Sequence, residues 1–300
     1  MYEVINGIRQ YPQSFADNVI IGKMNIRHKV FFVSERAGIG ASDDNEGTDP
    51  SLPLATISQA VTNCTTKRGD YIFVLDFWTE ASPPLTINKK DIHLIGMGSG
   101  NFDAGNDITT PTNNKSAVYI TSDGYDMEFA GFNLSSSGTN GVALQLQEGY
   151  RLHLHHLTFG CNIACTTGIS GNSFTHSTLH DCLFGTLVAG NSFYTFLNTS
   201  IVRNNRFLAT SGTCISCPGG SGFLNTIVEG NKFLVDDAAH GDAINLAVAG
   251  ASGNMIDDNV VMNGNALSDY SYNPYRDIGT TKSHWGRNWR GNEIIEPITV

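Results

Sequence analysis

A short sequence pattern recurs through the middle of this 300-residue chain, and its copies end 23–28 residues apart. Each copy has an apolar first residue, often asparagine at the fourth position, and a large apolar residue at the sixth. A unit of this length cannot bury an apolar face by itself, so successive units must stack into one continuous core. The copies are FAGFNL (129–134), LHHLTF (154–159), LHDCLF (179–184), VRNNRF (202–207), VEGNKF (228–233) and IDDNVV (256–261).

Apolar alternations between the copies, such as GVALQLQ (141–147) and AINLAV (243–248), favour strands over helices, as do the intervening Gly and Asn residues. Each repeat therefore predicts one coil of about three short strands, stacked on the next coil at roughly 4.8 Å. The fold class expected from the pattern is all-β, a parallel β-helix. Its core should contain a spine of stacked rings from Phe159, Phe184, Phe207 and Phe233.

The fourth position of the last three copies is Asn205, Asn231 and Asn259. Stacked asparagine amides can hydrogen-bond along the axis, and asparagine tolerates the left-handed backbone that a tight turn demands. We therefore predict a structural asparagine ladder at this turn.

Charge and hydropathy exclude two classes of partner. Nucleic-acid binding needs clustered Lys and Arg, so the net charge of −10 predicts no nucleic-acid partner. No run of 18 apolar residues predicts a membrane segment, and the N-terminus lacks the apolar stretch of an export signal. We expect a protein made and kept in a cytoplasm, where its 6 cysteines are free thiols.

The repeat region opens with KVFFVSERAGIGASDDNEGTDPSLPLATISQAV (29–61), GDYIFVLDFWTEA (69–81) and PLTINKKDIHLIGMGSG (84–100). These segments give a strand, a D-x-N-x-G-T loop, a T-I-x-x-A-V helix, a G-D-x-I-x-V strand and an L-T-I…L-I-G strand. This succession resembles the opening of pectate-lyase-like right-handed parallel β-helix proteins. The resemblance covers about residues 29–265 and implies a right-handed, single-stranded parallel β-helix with a short N-terminal capping helix.

The predicted capping helix places Leu54, Ile57 and Val61 on one face, where they can cover the open end of the core. The acidic loop before it does not fit a helix–loop–helix calcium site, because position 5 from Asp43 is Gly47 and carries no side-chain oxygen. The Cys-x3-Cys and Cys-x2-Cys pairs at 161/165 and 214/217 lie two coils apart, too far for one zinc ion. We therefore expect no metal and no cofactor.

Aligned repeats predict two polar columns on the outside of the coils. One column reads His155, His180, Arg203, Glu229 and Asp257, and its neighbour reads His156, Asp181, Asn204, Gly230 and Asp258. A polysaccharide lyase needs a base and a cation, and a glycoside hydrolase needs two carboxylates. No catalytic motif of the resembling proteins falls on these columns, so the sequence favours a solvated face. If the protein is an enzyme, the candidate catalytic residues are Asp181, Arg203, Glu229 and Asp257.

Two segments lie outside the repeat. Residues 1–28 form an N-terminal arm, and residues 266–300 form either a cap over the last coil or a subunit contact. Aromatic residues are enriched at interface hot spots. The candidate attachment and interface residues are Tyr2, Ile5, Tyr11, Phe15, Tyr270, Tyr272, Tyr275, Trp285 and Trp289.

A β-helix with a short arm and no export signal predicts a virus structural protein. The resemblance extends to phage tailspikes, head fibres and decoration proteins, which implies a virion location, a parallel homotrimer, and capsid or tail proteins as partners. We therefore expect a non-catalytic phage virion protein, assembled in the host cytoplasm and not an enzyme. The alternatives are a polysaccharide lyase or glycoside hydrolase acting on a surface glycan, and a glycan-binding adhesin.

Overall fold

The structure is a computed structural model that describes residues 3–5, 8–10, 28–35, 38–75, 84–97, 106–110, 116–137, 141–160, 165–185, 188, 190–210, 212–217, 223–235, 242–246, 251–263, 275–277, 283–290, 293–294 and 298–299. One helix, α1 (Ile57–Asn63), precedes most of the strands. The strands are, in chain order, β1 (Glu3–Ile5), β2 (Ile8–Gln10), β3 (Val30–Val33), β4 (Asp70–Val74), β5 (Leu85–Ile87), β6 (Ile92–Gly96), β7 (Asn106–Thr110), β8 (Ser116–Ile120), β9 (Glu128–Ala130), β10 (Phe132–Ser136), β11 (Val142–Leu146), β12 (Gly149–Tyr150), β13 (His153–His155), β14 (Thr158–Phe159), β15 (Thr167–Thr175), β16 (Thr178–His180), β17 (Leu183–Phe184), β18 (Phe193–Asn198), β19 (Ile201–Arg203), β20 (Arg206–Thr210), β21 (Ile215–Ser216), β22 (Ile227–Glu229), β23 (Lys232–Val235), β24 (Ile244–Leu246), β25 (Met255–Asp257), β26 (Val260–Asn263), β27 (Tyr275–Asp277), β28 (His284–Trp285), β29 (Trp289–Arg290), β30 (Glu293–Ile294) and β31 (Ile298–Thr299).

Three long sheets enclose one apolar core. Sheet I runs β3-β4-β6-β9-β13-β16-β19-β22-β25-β28, sheet II runs β7-β10-β14-β17-β20-β23-β26-β29-β30, and sheet III runs β5-β8-β11-β15-β18-β21-β24-β27-β31 with β12 beside β15. Neighbouring strands in these sheets are parallel except for the terminal β29–β30 pair, and β1 and β2 form a separate antiparallel pair. The all-β parallel β-helix with one short helix is therefore confirmed. No helix in the described ranges is long and apolar enough to cross a membrane.

The core spine is formed by the closing aromatic residues of successive coils, as predicted. The ring centroids of Phe159 and Phe184 are 4.6 Å apart, those of Phe184 and Phe207 are 4.5 Å apart, and those of Phe207 and Phe233 are 4.9 Å apart. The interplanar angles are 15°, 10° and 10°, and all four side chains are completely buried. One large ring in each coil thus rests on the ring of the next.

The asparagine ladder is also present, with a correction to its backbone. Asn205 donates from Nδ2 to Oδ1 of Asn231 at 3.0 Å, and Asn231 donates to Asn259 in the same way at 3.0 Å. Asn288 extends the ladder by one step. The left-handed residues, however, lie one position earlier, at His156, Asp181, Asn204, Gly230 and Asp258.

Helix α1 covers the N-terminal end of the core as the sequence predicted. Leu54, Ile57 and Val61 are buried, and Thr56 caps the helix by accepting from the Gln59 backbone N–H at 3.1 Å. In the acidic loop, Asp43 accepts from the backbone N–H groups of Ala55 and Thr56 and from the Thr56 hydroxyl. The loop therefore holds the start of the helix in place, which is turn chemistry.

The C-terminal strands continue the wall of the β-helix. β27, β28 and β29 pair in parallel with β24, β25 and β26, so each of the three sheets extends past residue 265. The Tyr275 side chain is fully buried, and its hydroxyl lies 3.3 Å from the Asn259 carbonyl oxygen. The Tyr275 ring is therefore part of the core and has no exposed surface for a subunit contact, while the choice between a cap and a subunit contact for residues 266–300 stays a prediction.

Candidate functional site

The outer face of sheet I carries two adjacent columns of polar side chains. In the first column, Tyr71, His93, Glu128 and His153 are register partners on β4, β6, β9 and β13. In the second column, the register order is His155, His180, Arg203, Glu229 and Asp257. The second column has the order predicted from the repeat. Alternating side chains of a strand point to opposite faces, so the apolar neighbours of these residues fill the core.

Glu128 lies at the centre of the histidine cluster. Its Oε2 accepts a hydrogen bond from Nδ1 of His93 at 2.8 Å, and its Oε1 accepts one from Nε2 of His155 at 2.8 Å. Nδ1 of His153 is 4.0 Å from the same Oε1. The His93 ring in turn stacks on Tyr71 with centroids 4.1 Å apart, which fixes its orientation. Three successive strands, β6, β9 and β13, thus place three histidines around one carboxylate.

Hydrogen bonds hold the pKa of the Glu128 carboxyl well below its usual range. The bond from His155 makes the largest contribution, the bond from His93 the next, and burial opposes them without cancelling them. A hydrogen bond made to the charged form favours that form. Glu128 therefore stays ionised at neutral pH and acts only as an acceptor.

The proton positions on His155 and His156 follow from the ionised carboxylate. His155 donates from Nε2 to Glu128, so in its neutral form it has a bare Nδ1. The Nδ1 atoms of His155 and His156 are 2.7 Å apart, and His156 is then the donor of that bond. Both imidazoles are oriented by this chain of contacts.

A second chain of contacts leads from Asp181 to His153. Asp181 accepts from Nδ1 of His180 at 2.7 Å, and Nε2 of His180 lies 2.7 Å from Nε2 of His153. When both imidazoles are neutral, His180 accepts and His153 donates, because the other nitrogen of His180 already carries its proton. This arrangement leaves a lone pair on Nδ1 of His153.

Burial lowers the pKa of His153, and the nearby His155 and His180 lower it further against the opposing charge of Glu128. A lowered pKa keeps the imidazole in its neutral form over a wider range of pH. The His153 side chain is nevertheless 47% exposed and forms part of the lining of a groove. The cluster thus places a partly exposed imidazole beside the ionised carboxylate of Glu128.

A groove of about 620 Å³ opens beside the cluster. Its lining includes Lys67, Asp91, His93, Tyr125, Asp126, Met127, Glu128, Arg151 and His153. Arg151 forms an ion pair with Asp126 and lies over the Tyr150 ring, 4.5 Å from its centroid. The groove therefore combines aromatic and charged walls with the reactive face of His153.

Of the four candidate catalytic residues predicted from sequence, the structure places one in the histidine cluster and three on the coils beyond it. Asp181 joins the cluster through His180. Arg203, Glu229 and Asp257 follow on the next three coils, away from the groove. Asp257 accepts the backbone N–H groups of Asp258 and Arg287, which gives it a role in the turn.

Sequence reasoning missed His93 and Glu128. Glu128 immediately precedes the first copy of the repeat, just as His153 precedes the second copy. Extending each copy by one residue would have aligned Glu128 with His153 and placed a carboxylate beside the histidines. With Glu128 in place, ligand-type atoms of Glu128, His153 and His155 lie within 4.8 Å of one another, a grouping that the sequence reasoning did not identify.

The structure describes only some of the predicted attachment and interface residues. Tyr2, Tyr11, Phe15, Tyr270 and Tyr272 lie outside the described residues. Ile5 lies in β1, Trp285 in β28 and Trp289 in β29. The expected homotrimer stays a prediction. The described cysteines are buried thiols that form no disulfide with one another, as expected: Cys64, Cys165, Cys182, Cys214 and Cys217.

No protein-family model and no curated protein matches the chain. Among solved structures, pectin methylesterase PemA from Erwinia chrysanthemi is similar with a TM-score of 0.54 and 11% identity, over 89% of this chain and 90% of that chain. A pectin methylesterase in complex with a hexasaccharide has a TM-score of 0.53 with the same identity and coverage. The chain therefore has the right-handed, pectate-lyase-like parallel β-helix fold that its opening segments implied.

The comparison corrects the function expected from the sequence. The solved structures that match over nine-tenths of their length are carbohydrate-active enzymes. They favour the enzymatic alternative, so the interpretation as a non-catalytic phage virion protein, and as no enzyme, was wrong. At 11% identity the likeness itself shows only the fold, and the activity has to be argued from the residues of this chain.

Proposed function

We propose that this protein is a polysaccharide lyase that cleaves a uronate-containing glycan in the groove beside Glu128 and His153. The observation that carries the proposal is the position of His153, whose partly exposed imidazole lines the groove and whose lowered pKa favours the neutral form. A general base works best when it is unprotonated at the working pH and within reach of the proton it removes.

The proposed reaction is a β-elimination. The base takes the proton from the carbon next to the uronate carboxyl group, and the electron pair of that C–H bond forms a carbon–carbon double bond. The glycosidic C–O bond at the neighbouring carbon breaks, and the leaving oxygen takes a proton from solvent. The products are a new reducing end and an unsaturated uronate end. The reaction requires a carboxyl group at the abstraction site, which defines the substrate class.

Hydrolysis by two carboxylates fits this site less well. A glycoside hydrolase needs one carboxyl group that is protonated at the working pH, and such a group has a raised pKa. The pKa of Glu128 is lowered instead, and both of its oxygens accept hydrogen bonds from histidines. The central carboxylate of the cluster is thus unsuited to serve as the acid.

The groove also offers cations for an acidic sugar chain. Lys67 and Arg151 are part of its lining, and both can contact a uronate carboxylate that lies across sheet I. Tyr125, in the same lining, holds a further cation nearby, because Nζ of Lys90 lies over its ring, 4.2 Å from the centroid. These groups would hold the glycan while His153 reaches the proton.

The test is a depolymerase assay on uronate-containing polysaccharides, with neutral polysaccharides alongside. We expect ultraviolet absorbance from unsaturated uronate ends to rise together with reducing ends. Replacing the base, in His153→Ala, should lower kcat/KM by about 100-fold or more. His284→Ala is the matched control, because His284 lies on β28 of the same sheet, is exposed, and is far from the groove.

Two results would contradict the proposal. Reducing ends without unsaturated ends would indicate hydrolysis, and equal activity of His153→Ala and His284→Ala would remove His153 from the reaction. Circular dichroism of both variants should match that of the parent chain, since neither side chain contributes to the buried core.

A further inference from the structure

We infer that Glu128, His153 and His155 form a binding site for one divalent transition-metal ion of the zinc type. His153 and His155 are separated by one residue on β13, so both side chains leave the same face of sheet I. Glu128 is the register partner of His153 on the adjacent strand. Two neighbouring strands therefore aim two imidazoles and one carboxylate at a common point.

The distances suit a site that closes around an ion with small side-chain movements. Glu128 Oε1 is 2.8 Å from Nε2 of His155 and 4.0 Å from Nδ1 of His153. Zinc binds nitrogen and oxygen ligands at about 2.0–2.2 Å, so ligand atoms around one ion lie roughly 3–4 Å apart. Two histidines and one glutamate are also a ligand set of catalytic zinc sites, in which water holds the fourth position.

The other polar atom of each of the three ligands is already held by a neighbour. Nε2 of His153 contacts His180, Nδ1 of His155 contacts His156, and Oε2 of Glu128 accepts from His93. Such outer contacts orient metal ligands and can stabilise the tautomer that binding requires. For His153, the contact with His180 leaves Nδ1 bare, which is the nitrogen that faces Glu128.

Binding shifts protons within the cluster and releases none overall. Glu128 is ionised and His153 has its lone pair available, so neither must lose a proton. His155 releases its Nε2 proton to solvent and takes the Nδ1 proton of His156, so that Nδ1 of His155 then donates to His156. His156 takes a proton from solvent on Nε2 and stays neutral. The binding nitrogen must be deprotonated in this way, and the ion takes the place of the proton between His155 and Glu128.

The existence of the metal site does not depend on the proposed function, but the catalytic role described for it rests on that function. The groove lining contains three carboxylates, Asp91, Asp126 and Glu128, against two cations, Lys67 and Arg151. A divalent ion would reverse this balance and could receive the carboxylate of an acidic sugar. A metal ion also lowers the pKa of its bound water to about 7. The metal-bound hydroxide would then take the substrate proton in place of His153.

The site is tested by titrating Zn²⁺ alone into the full chain, freed of metal by chelation and carrying no histidine tag, in a calorimeter. We expect one ion per chain. His155→Ala should weaken binding by more than about 100-fold, and His180→Ala, which removes an outer contact, by about 10- to 100-fold. The control His284→Ala should bind as the parent does. Co²⁺ loading adds a spectroscopic test, because a low-coordinate site gives strong visible absorption.

The outcomes separate this inference from the proposed function. One Zn²⁺ per chain, lost in His155→Ala, supports the site even if no glycan is cleaved. Lyase activity that survives chelation, in a chain that binds no Zn²⁺, supports the function and overturns the site. Equal Zn²⁺ binding by the parent chain, His155→Ala and His153→Ala would also overturn it, because the ion would then lie elsewhere.

Discussion

Replacing Phe207 by alanine is expected to lower the free energy of unfolding by about 3–5 kcal/mol. Phe207 stacks between Phe184 and Phe233, with centroid distances of 4.5 Å and 4.9 Å, and is completely buried. The substitution removes the ring from both contacts and leaves a cavity inside a coil, where the surrounding strands are hydrogen-bonded on both sides and cannot close the gap. Urea unfolding followed by circular dichroism measures the effect.

The matched control for the spine is Phe73→Ala. Phe73 lies on the outer face of β4, is only partly buried, and stacks on Phe32 and Tyr71 with centroids 6.2 Å and 6.0 Å apart. Its loss should cost about 1–2 kcal/mol, the scale of two aromatic pairs. If the two substitutions destabilised the protein equally, the internal spine would not be the main source of coil-to-coil stability.

The second large effect is expected at Asp70, at the start of β4. Its side chain is fully buried and accepts from Nε and Nη2 of Arg68, from the Lys29 backbone N–H at 2.8 Å, and from the Thr65 backbone N–H at 2.7 Å. Asp70→Ala leaves these donors without their acceptor and should cost about 3 kcal/mol, the low end for a broken buried pair, because Arg68 is partly exposed and can turn to water. Asp44→Asn, at an exposed loop position, is the control.

Asp70 should also make stability depend on pH. Burial disfavours its charge, but the bonds from Arg68 and from the Lys29 and Thr65 backbones outweigh burial and lower its pKa. The unfolded pKa of Asp is about 3.9. Because the folded pKa is lower, the stabilisation is complete above about pH 4 and is lost as the pH falls through the folded value. In Asp70→Ala this loss of stability at low pH should be absent, because the titrating carboxyl group has been removed. If the free energy of unfolding fell with pH in the same way in Asp70→Ala and in the parent chain, the assignment to Asp70 would be wrong.

The repeat made most of the fold predictable. The closing residues Phe159 to Phe233 define the coil spacing, and their stacking follows directly from it. The left-handed residue of the turn was misplaced for a physical reason. The copy VRNNRF has asparagine at both 204 and 205, and either suits a left-handed backbone, so residue type could not decide between them.

The site was only half predictable. His155, His180 and Asp181 follow the repeat, so their columns could be read from the sequence, whereas the column of His153 appears only when each copy is extended by one residue. Glu128 is 35 residues from its hydrogen-bond partner His93 but 27 from His155, because the coil between His93 and Glu128 is longer than the others. That longer coil breaks the period, and no spacing rule connects His93 with the cluster.

The register of sheet I would allow the same three ligands to be placed at equivalent positions on other coils. Glu128 and His153 occupy one outward position on successive coils, and His155 occupies the second outward position of its coil. Ile201, Ile227 and Glu229 have the same mutual relation further along the axis. The combined change Ile201→Glu, Ile227→His and Glu229→His would rebuild the same ligand set about three coils away, and Co²⁺ absorption would show whether it binds. In such a solenoid the position of a ligand set along the axis follows from the register, and three substitutions would transfer the ligands without the outer contacts that His93, His156 and His180 provide.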